Sequence, residues 1–273
     1  AYRKHEYSAV AAFRYYKSEA LGANQDCITT NTTLRLNYGW NGRLFAEATA
    51  GITGSNQFSR NRFLPVGSAA LSYILSTEPY LKIRASGGHL GYNPNGNYLL
   101  YKTAWTPSGD YMLGNNNNTN AHITQLARLG NERIGWVTQN EGNIGIDGSL
   151  FRTRLSFGAD FFFEKRDNII TSLSSRYSDL IGDHLPVFNY GSIRNYGAEL
   201  EVIWKDQAGD GDFKYEIGAN MTLTRNENIK VNEIDFIESY RSSIGHPSSG
   251  IYGLKSQGLF GKDVKQNGHP KQM

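Results

Sequence analysis

The stretch that most clearly indicates the fold reads RLSFGADFFF, residues 154–163. Apolar side chains alternate in it with polar or small ones, at Leu155, Phe157, Ala159, Phe161 and Phe163. Phe162 is the one exception. Because successive side chains of a strand point to opposite faces of its sheet, this alternation predicts a strand with one apolar and one polar face.

The same period of two recurs along the chain, and no comparable helical stretch stands out. It predicts ten strands, at about 5–17, 27–40, 43–53, 67–76, 79–90, 134–148, 151–165, 194–205, 212–225 and 250–260. We therefore expect an all-β chain whose strands form an antiparallel up-and-down sheet.

The connectors between the predicted strands alternate between long and short, with lengths of about 9, 2, 13, 2, 43, 2, 28, 6 and 24 residues. In an up-and-down sheet every second connection emerges at the same end, so one rim carries tight turns and the other carries long loops. This asymmetry is typical of outer-membrane barrels, which also present apolar side chains to lipid and polar ones to the lumen. A soluble sheet that packs one face on a core alternates in the same way and remains the alternative.

Composition excludes several classes of protein. The 273 residues include 12% aromatic residues, too many for a disordered chain, and a single cysteine, too few for an internal disulfide. No apolar run approaches the ~18 residues of a membrane-spanning helix. The formal charge of +3 is small and spread along the chain, so we expect no nucleic-acid partner.

On a barrel, two groups of side chains acquire a role. Aromatic residues near the predicted strand ends would form an interfacial girdle, namely Tyr7, Tyr15, Tyr38, Trp40, Trp136 and Trp204. Polar residues of the opposite face would line the lumen, namely Lys82, Arg84, Arg154, Asp160, Glu199 and Glu201.

The long connectors at 91–133 and 166–193 carry the candidate ligand contacts. Aromatic rings and polar groups bind ligands such as glycans or peptides by stacking and hydrogen bonding. The candidates are Tyr92, Tyr98, Arg176, Tyr177, Phe188 and Tyr190. The alternative is that these loops are rich in asparagine and glycine because such residues favour turns, above all in the run at 115–118.

Catalytic chemistry has little support in the sequence. The six histidines lack the spacing of metal ligands, and we expect neither a metal site nor a cofactor. Glu199 and Glu201 share one strand face and suggest a glycosidase, but on a barrel wall such a pair lines the lumen. We therefore expect a protein that is not an enzyme.

Several segments resemble SusC/RagA-type TonB-dependent outer-membrane transporters. They are WVTQNEGNIGIDGSLFRTRLS at 136–156, DFFFEKRD at 160–167, NYGSIRNYGAELE at 189–201 and YGLKSQGLF at 252–260, in that order. The resemblance implies a 22-stranded barrel that encloses a plug, in the lipids of an outer membrane of Bacteroidota. It also implies import of glycans or peptides, driven by the TonB complex, with a SusD-like surface lipoprotein over the mouth.

Residues 1–273 are then expected to be one partial barrel domain that lacks the plug, the TonB-contacting segment and the terminal strands. Such a segment has two open sheet edges, which a bilayer does not tolerate, so its function belongs to a longer protein. The alternative is a soluble or surface β-rich carbohydrate-binding module, which would bury Phe157, Phe161 and Phe163 in a core.

Overall fold

A computed structural model of the chain describes residues 4–19, 26–93, 99–112, 120–178, 180, 185–209, 213–234, 238–251 and 253. The strands within them are β1 His5–Ser18, β2 Cys27–Trp40, β3 Leu44–Ser55, β4 Phe63–Thr77, β5 Tyr80–Tyr92, β6 Ala104–Met112, β7 Asn120–Arg128, β8 Val137–Leu150, β9 Leu155–Ser172, β10 Val187–Ala208 and β11 Phe213–Lys230. A single turn of 3-10 helix covers Ser174–Arg176. Among the described residues, no helix is both long and apolar enough to cross a bilayer.

Nine of these strands form one antiparallel sheet in the order β1-β2-β3-β4-β5-β8-β9-β10-β11. We call this sheet the wall. Every neighbour in it is also the next wall strand along the chain, which is the up-and-down topology that the sequence predicts. The other two strands, β6 and β7, pair only with each other, as a hairpin inserted between β5 and β8.

Nine predicted strands are confirmed, and two were missed. The hairpin of β6 and β7 lies inside the predicted connector at 91–133, where polar and asparagine-rich sequence hides the alternation. The ends of β9 and β10 extend beyond the predicted 165 and 194, because register shifts around Gly191 let this pair continue past irregular positions. The tenth predicted strand, at 250–260, falls almost entirely outside the described residues.

The two rims of the wall differ as expected. One rim holds the connections at 41–43, 78–79, 151–154 and 209–212, and the other holds those at 19–26, 56–62, 93–136 and 173–186. Asn41 and Gly42 both adopt positive φ, of 53° and 64°, and the Arg43 amide donates to the Trp40 carbonyl at 3.0 Å. Two left-handed residues in a row give the turn the twist that a hairpin needs.

The register brings the apolar positions of all nine wall strands onto one face. One row of directly paired residues runs Tyr7, Tyr38, Ala46, Leu71, Ala85, Ile144, Phe161, Ala198 and Leu223. These side chains are not covered by a second layer: Phe161 is 66% exposed and Ile144 is 67% exposed. The soluble module would bury Phe161, so this structure does not fit that alternative.

The opposite face is mainly polar, and two of its apolar side chains lie beside glycines. Phe162 pairs directly with Gly197, and the ring lies so close that a Cβ on Gly197 would sit 2.7 Å from it. Ile203 pairs with Gly218 in the same way. A glycine leaves room for a large neighbour on its own face, so these side chains lie across the strand backbone.

A small buried core lies among the loops at the long-loop rim. It consists of Phe58, Leu100, Ile134 and Trp136, with Leu64, Ile170 and Val187 packed against it. We call it the loop core. The assignment of Trp136 to the girdle is wrong: its ring meets Phe58 edge-on at 5.0 Å between centroids, and its Nε1 donates to the Asn61 carbonyl at 3.0 Å. The loop core buries the ring, and the Asn61 carbonyl accepts from the N–H. The indole therefore needs no membrane interface.

Candidate functional site

Four of the six candidate ligand-contact residues come together at the long-loop rim. The Arg176 guanidinium lies 4.9 Å from the centroid of the Tyr190 ring. The rings of Tyr177 and Phe188 stack with centroids 6.4 Å apart and planes inclined by 20°. We call these four residues the aromatic cluster. Arg176 and Tyr177, which follow β9, thus contact two residues of β10: Arg176 contacts Tyr190, and Tyr177 contacts Phe188.

The backbone around the aromatic cluster is held by one asparagine. Asn189 lies between Phe188 and Tyr190, and its Oδ1 accepts from the Gly135 amide at 2.8 Å. Its Nδ2 donates to the Gly135 carbonyl at 3.0 Å and to the Asn168 carbonyl at 2.7 Å. One side chain therefore links β10 to β9 and to the loop before β8. These hydrogen bonds hold the backbone that carries the two flanking aromatic side chains.

The other two candidates do not join this cluster. Tyr92 is exposed at the end of β5, and the next residue, Asn93, donates to Ser55 Oγ at 3.1 Å and to Gln57 Oε1 at 2.5 Å. Tyr98 lies outside the described residues, and so does the asparagine run at 115–118.

On the polar face, Arg84 forms the centre of a three-strand ion-pair network. Its Nε donates to Asp147 Oδ2 at 3.0 Å, and its Nη2 donates to Asp160 Oδ2 at 2.5 Å. Gly145 lies directly between Arg84 and Asp160 in the register. A Cβ on Gly145 would sit 2.7 Å from the guanidinium carbon, so the glycine is what lets the arginine reach across β8. The sequence analysis did not find Asp147, although the alternation of β8 places it on this face.

The remaining lumen candidates are arranged unevenly. Glu199 pairs directly with Asp160, and Glu201 follows two residues later on the same face. Lys82 lies on that face too, two residues before Arg84 on β5. Arg154 instead lies in the turn before β9 and pairs with Asp206 at 3.3 Å, a residue that shares the face of Trp204. Its guanidinium therefore lies at the tight-turn rim rather than along the polar face.

Beyond the wall, one carboxylate makes several of the hydrogen bonds that hold the segment following β11. Glu233 accepts at Oε1 from the Ser243 amide at 2.5 Å and from the Ser243 hydroxyl, and at Oε2 from the Ser242 hydroxyl at 2.8 Å. Burial alone would raise the pKa of Glu233, but these hydrogen bonds prevail and lower its pKa from the ordinary value. Within the described part of the chain, no group of three or more His, Cys, Asp or Glu could hold a metal ion.

Comparison with known sequences identifies the wall. The family described as TonB dependent receptor-like, beta-barrel matches residues 2–261. TonB-dependent receptor SusC of Bacteroides thetaiotaomicron is 26% identical over 231 residues, which cover 79% of this chain and 23% of that protein. TonB-dependent receptor P3 of Formosa agariphila is 24% identical over 247 residues, which cover 83% of this chain and 24% of that protein. The chain thus spans about a quarter of the length of these relatives.

Solved structures give the same architecture. The RagAB peptide importer in its closed-closed state superposes with a TM-score of 0.72 at 17% identity, over 89% of this chain and 31% of that chain. The siderophore receptor PirA from Pseudomonas aeruginosa superposes with a TM-score of 0.55 at 13% identity, over 84% and 41%. At these identities the likeness shows the fold alone. With the family match over most of its length, the chain belongs to the β-barrel of the TonB-dependent receptors, which are outer-membrane proteins and not enzymes.

Proposed function

We propose that the full-length protein carrying this chain, called the parent protein below, imports a nutrient across the outer membrane. Membership of the TonB-dependent receptor family supports active transport driven by TonB. The likeness to SusC and to the RagAB peptide importer supports oligosaccharides or peptides as the cargo. Residues 1–273 supply one part of the barrel, and the plug and the TonB-contacting segment belong to other parts of the parent protein.

The observation that carries this proposal is the exposed apolar face that stays in register across nine strands. A soluble protein would leave that surface in water at a large cost in free energy, whereas hydrocarbon stabilises it. The polar face with the Arg84 network then lines the transport path. Because Arg84 is bound to two carboxylates, the wall there is polar but its cation is already neutralised.

The aromatic cluster is the proposed ligand contact of this chain. It lies at the long-loop rim, which is the extracellular end of an outer-membrane barrel. Arg176 and Tyr177 are exposed, and each rests on a ring of β10. Flat aromatic surfaces stack on sugar rings and on peptide side chains, so the cluster suits either cargo.

The proposed partner at this rim is a SusD-like surface lipoprotein. The resemblance to the SusC/RagA type motivates it, and the loops that would meet it are those at 56–62, 93–136 and 173–186. The connectors at 56–62 and 93–136 pack against each other through the loop core, which offers a preformed surface rather than two independent loops.

Uptake by cells that express the parent protein tests both the TonB-driven transport and the role of the aromatic cluster. Labelled oligosaccharides and labelled peptides are supplied to cells with and without TonB. Loss of uptake without TonB is expected, and unchanged uptake would contradict active transport. A Y177A/F188A double variant should lower uptake at limiting ligand concentration. The control is Tyr240→Ala, which removes an exposed ring outside the cluster and should leave uptake unchanged.

A further inference from the structure

We propose that the apolar face of the wall ends, at the long-loop rim, in a binding site for the phosphate groups of an outer-leaflet lipid headgroup. The site is built around a row of directly paired polar residues on β5, β8, β9, β10 and β11. They are His89, Asn140, Lys165, Arg194 and Glu227. This row lies on the same face as Phe161 and Ile144, because it is offset from them by an even number of residues on each strand.

The change from apolar to charged residues on this face is abrupt. The row through Ala85, Ile144, Phe161, Ala198 and Leu223 is followed by one through Gly87, Gly142, Phe163, Tyr196 and Arg225. Arg225 is the charged member of this second row, and the charged row comes next, about 7 Å further along the strands. From Trp204 near the tight turns to Tyr196, β10 presents only apolar or aromatic residues to this face. That distance corresponds to the ~9–11 residues of a membrane-crossing strand, so the charges begin where hydrocarbon ends.

The charges of this site, which we call the headgroup site, are layered. The cations lie outermost, with side chains 41% exposed at Lys165, 40% at Arg194 and 64% at Arg225. The carboxylates lie beneath them, 10% exposed at Glu227 and 25% exposed at Asp167. Three cations over two carboxylates leave a net positive charge that faces outward.

Glu227 fixes the geometry of the headgroup site. It accepts from Arg194 at 2.5 Å and from the Tyr196 hydroxyl at 2.8 Å, and it pairs with Arg225 at 3.1 Å. The guanidinium of Arg194 also lies 5.6 Å from the centroid of the Tyr196 ring. Both arginines are therefore held by one carboxylate while their side chains stay 40% exposed at Arg194 and 64% exposed at Arg225. Guanidinium groups presented in this way are suited to phosphate oxygens.

The position of the headgroup site selects the lipid over free phosphate. The cations stand directly above an exposed apolar surface that includes Phe163 and Phe161. A phosphorylated lipid satisfies both features at once, because its headgroup meets the cations while its acyl chains cover the rings. Inorganic phosphate would gain only the first contact.

Native mass spectrometry of the detergent-purified parent protein tests the proposal, with diphosphoryl lipid A as the probe. A K165Q/R225Q double variant keeps Arg194 on Glu227 and removes the other two cations. Because each cation near a membrane surface contributes about fivefold in affinity, we expect binding to weaken by roughly 25-fold. Arg166→Gln is the matched control, since it removes one charge from the same strand but on the polar face, where Arg166 pairs with Glu164.

Three results would overturn the proposal. The double variant could bind lipid A as well as the unchanged protein does. Arg166→Gln could weaken binding as much as Lys165→Gln or Arg225→Gln does alone. Inorganic phosphate could also compete with lipid A at equal concentration, which would make the site one for free anions. None of these measurements depends on import, so they separate the headgroup site from the proposed function.

Discussion

The wall and the loop core are two ways in which one chain keeps apolar surface away from water. In the wall, large side chains such as Phe161 lie on an uncovered face, and each strand is held by hydrogen bonds to its neighbours. In the loop core, Phe58 and Trp136 are almost fully buried against each other and against residues of the connector at 93–136 and of three strand ends. The comparison shows that the membrane takes the place of the second protein layer in the wall, whereas the loops, which project into water, need a core of their own.

The largest effect is expected in the loop core. Trp136→Ala removes a buried indole, its edge-on contact with Phe58 and its hydrogen bond to Asn61. We expect the loops to lose about 3–5 kcal/mol of local stability, the usual cost of deleting a large aromatic side chain from a core. Hydrogen exchange of the amides at 56–62 and 131–136 measures it. Exchange in β9 should stay unchanged, and equal acceleration there would show that loops and wall are one cooperative unit.

A charge on the lipid-facing side of the wall comes next. Phe161→Arg in the parent protein should destabilise the barrel by about 2–4 kcal/mol, because an arginine near the bilayer midplane must leave water. Denaturant unfolding in lipid bilayers measures the change. Glu199→Arg introduces the same group on the polar face, opposite Asp160, and should cost little. If both substitutions had the same effect, the assignment of the two faces would be wrong.

The connection between the two regions is tested at Asn189. Asn189→Ala removes three hydrogen bonds that tie β10 to Gly135 and Asn168. A hydrogen bond contributes about 0.5–1.5 kcal/mol net to stability, and these groups are partly buried or exposed, so we expect the loop before β8 to open more readily. Limited proteolysis at 129–136 should quicken. Asn140→Ala, whose side chain contacts His89 on the outer face, is the comparison and should leave the cleavage rate unaltered.

The smallest effect is a pH dependence beyond β11. Since folding lowers the pKa of Glu233, its contribution to stability is complete above the ordinary pKa of a glutamate. It is lost as the pH falls through the lowered pKa, and the contacts to Ser242 and Ser243 then weaken. Pepsin cleavage within 238–250 should therefore increase on acidification relative to cleavage of a Glu233→Gln variant, which has no charge to lose. A constant ratio of the two rates would refute this role.

Alternation predicted the wall well because its cause is local. Leu155, Phe157 and Phe161 share a face on any strand, whatever pairs with it, and the spacing of the connectors then fixed the two rims. The loop core was not predicted, since Phe58 and Trp136 are far apart in sequence and neither belongs to a periodic pattern. Trp136 was assigned to the girdle for that reason: sequence shows that an indole lies near a strand end but not which loops close over it.

The candidate site was predicted in part. Arg176, Tyr177, Phe188 and Tyr190 were chosen for their chemistry, and the structure places them in two stacked pairs. Their role as ligand contacts stays a prediction. The headgroup site was not found, because Lys165, Arg194 and Arg225 lie on three strands and become neighbours only through the register.

The sequence by itself determined the β class, the two faces of each strand, the alternation of short and long connections and the likeness to a transporter barrel. The first three follow from the direction of neighbouring side chains and from connector length, both of which are local properties, and the likeness to a transporter barrel follows from the order of its sequence segments. Only the tertiary structure decided which residues meet across strands and between loops: Arg84 with Asp160 over Gly145, Arg194 with Glu227, Trp136 with Phe58. Such pairs depend on register and on loop packing, which arise from contacts among the whole set of strands.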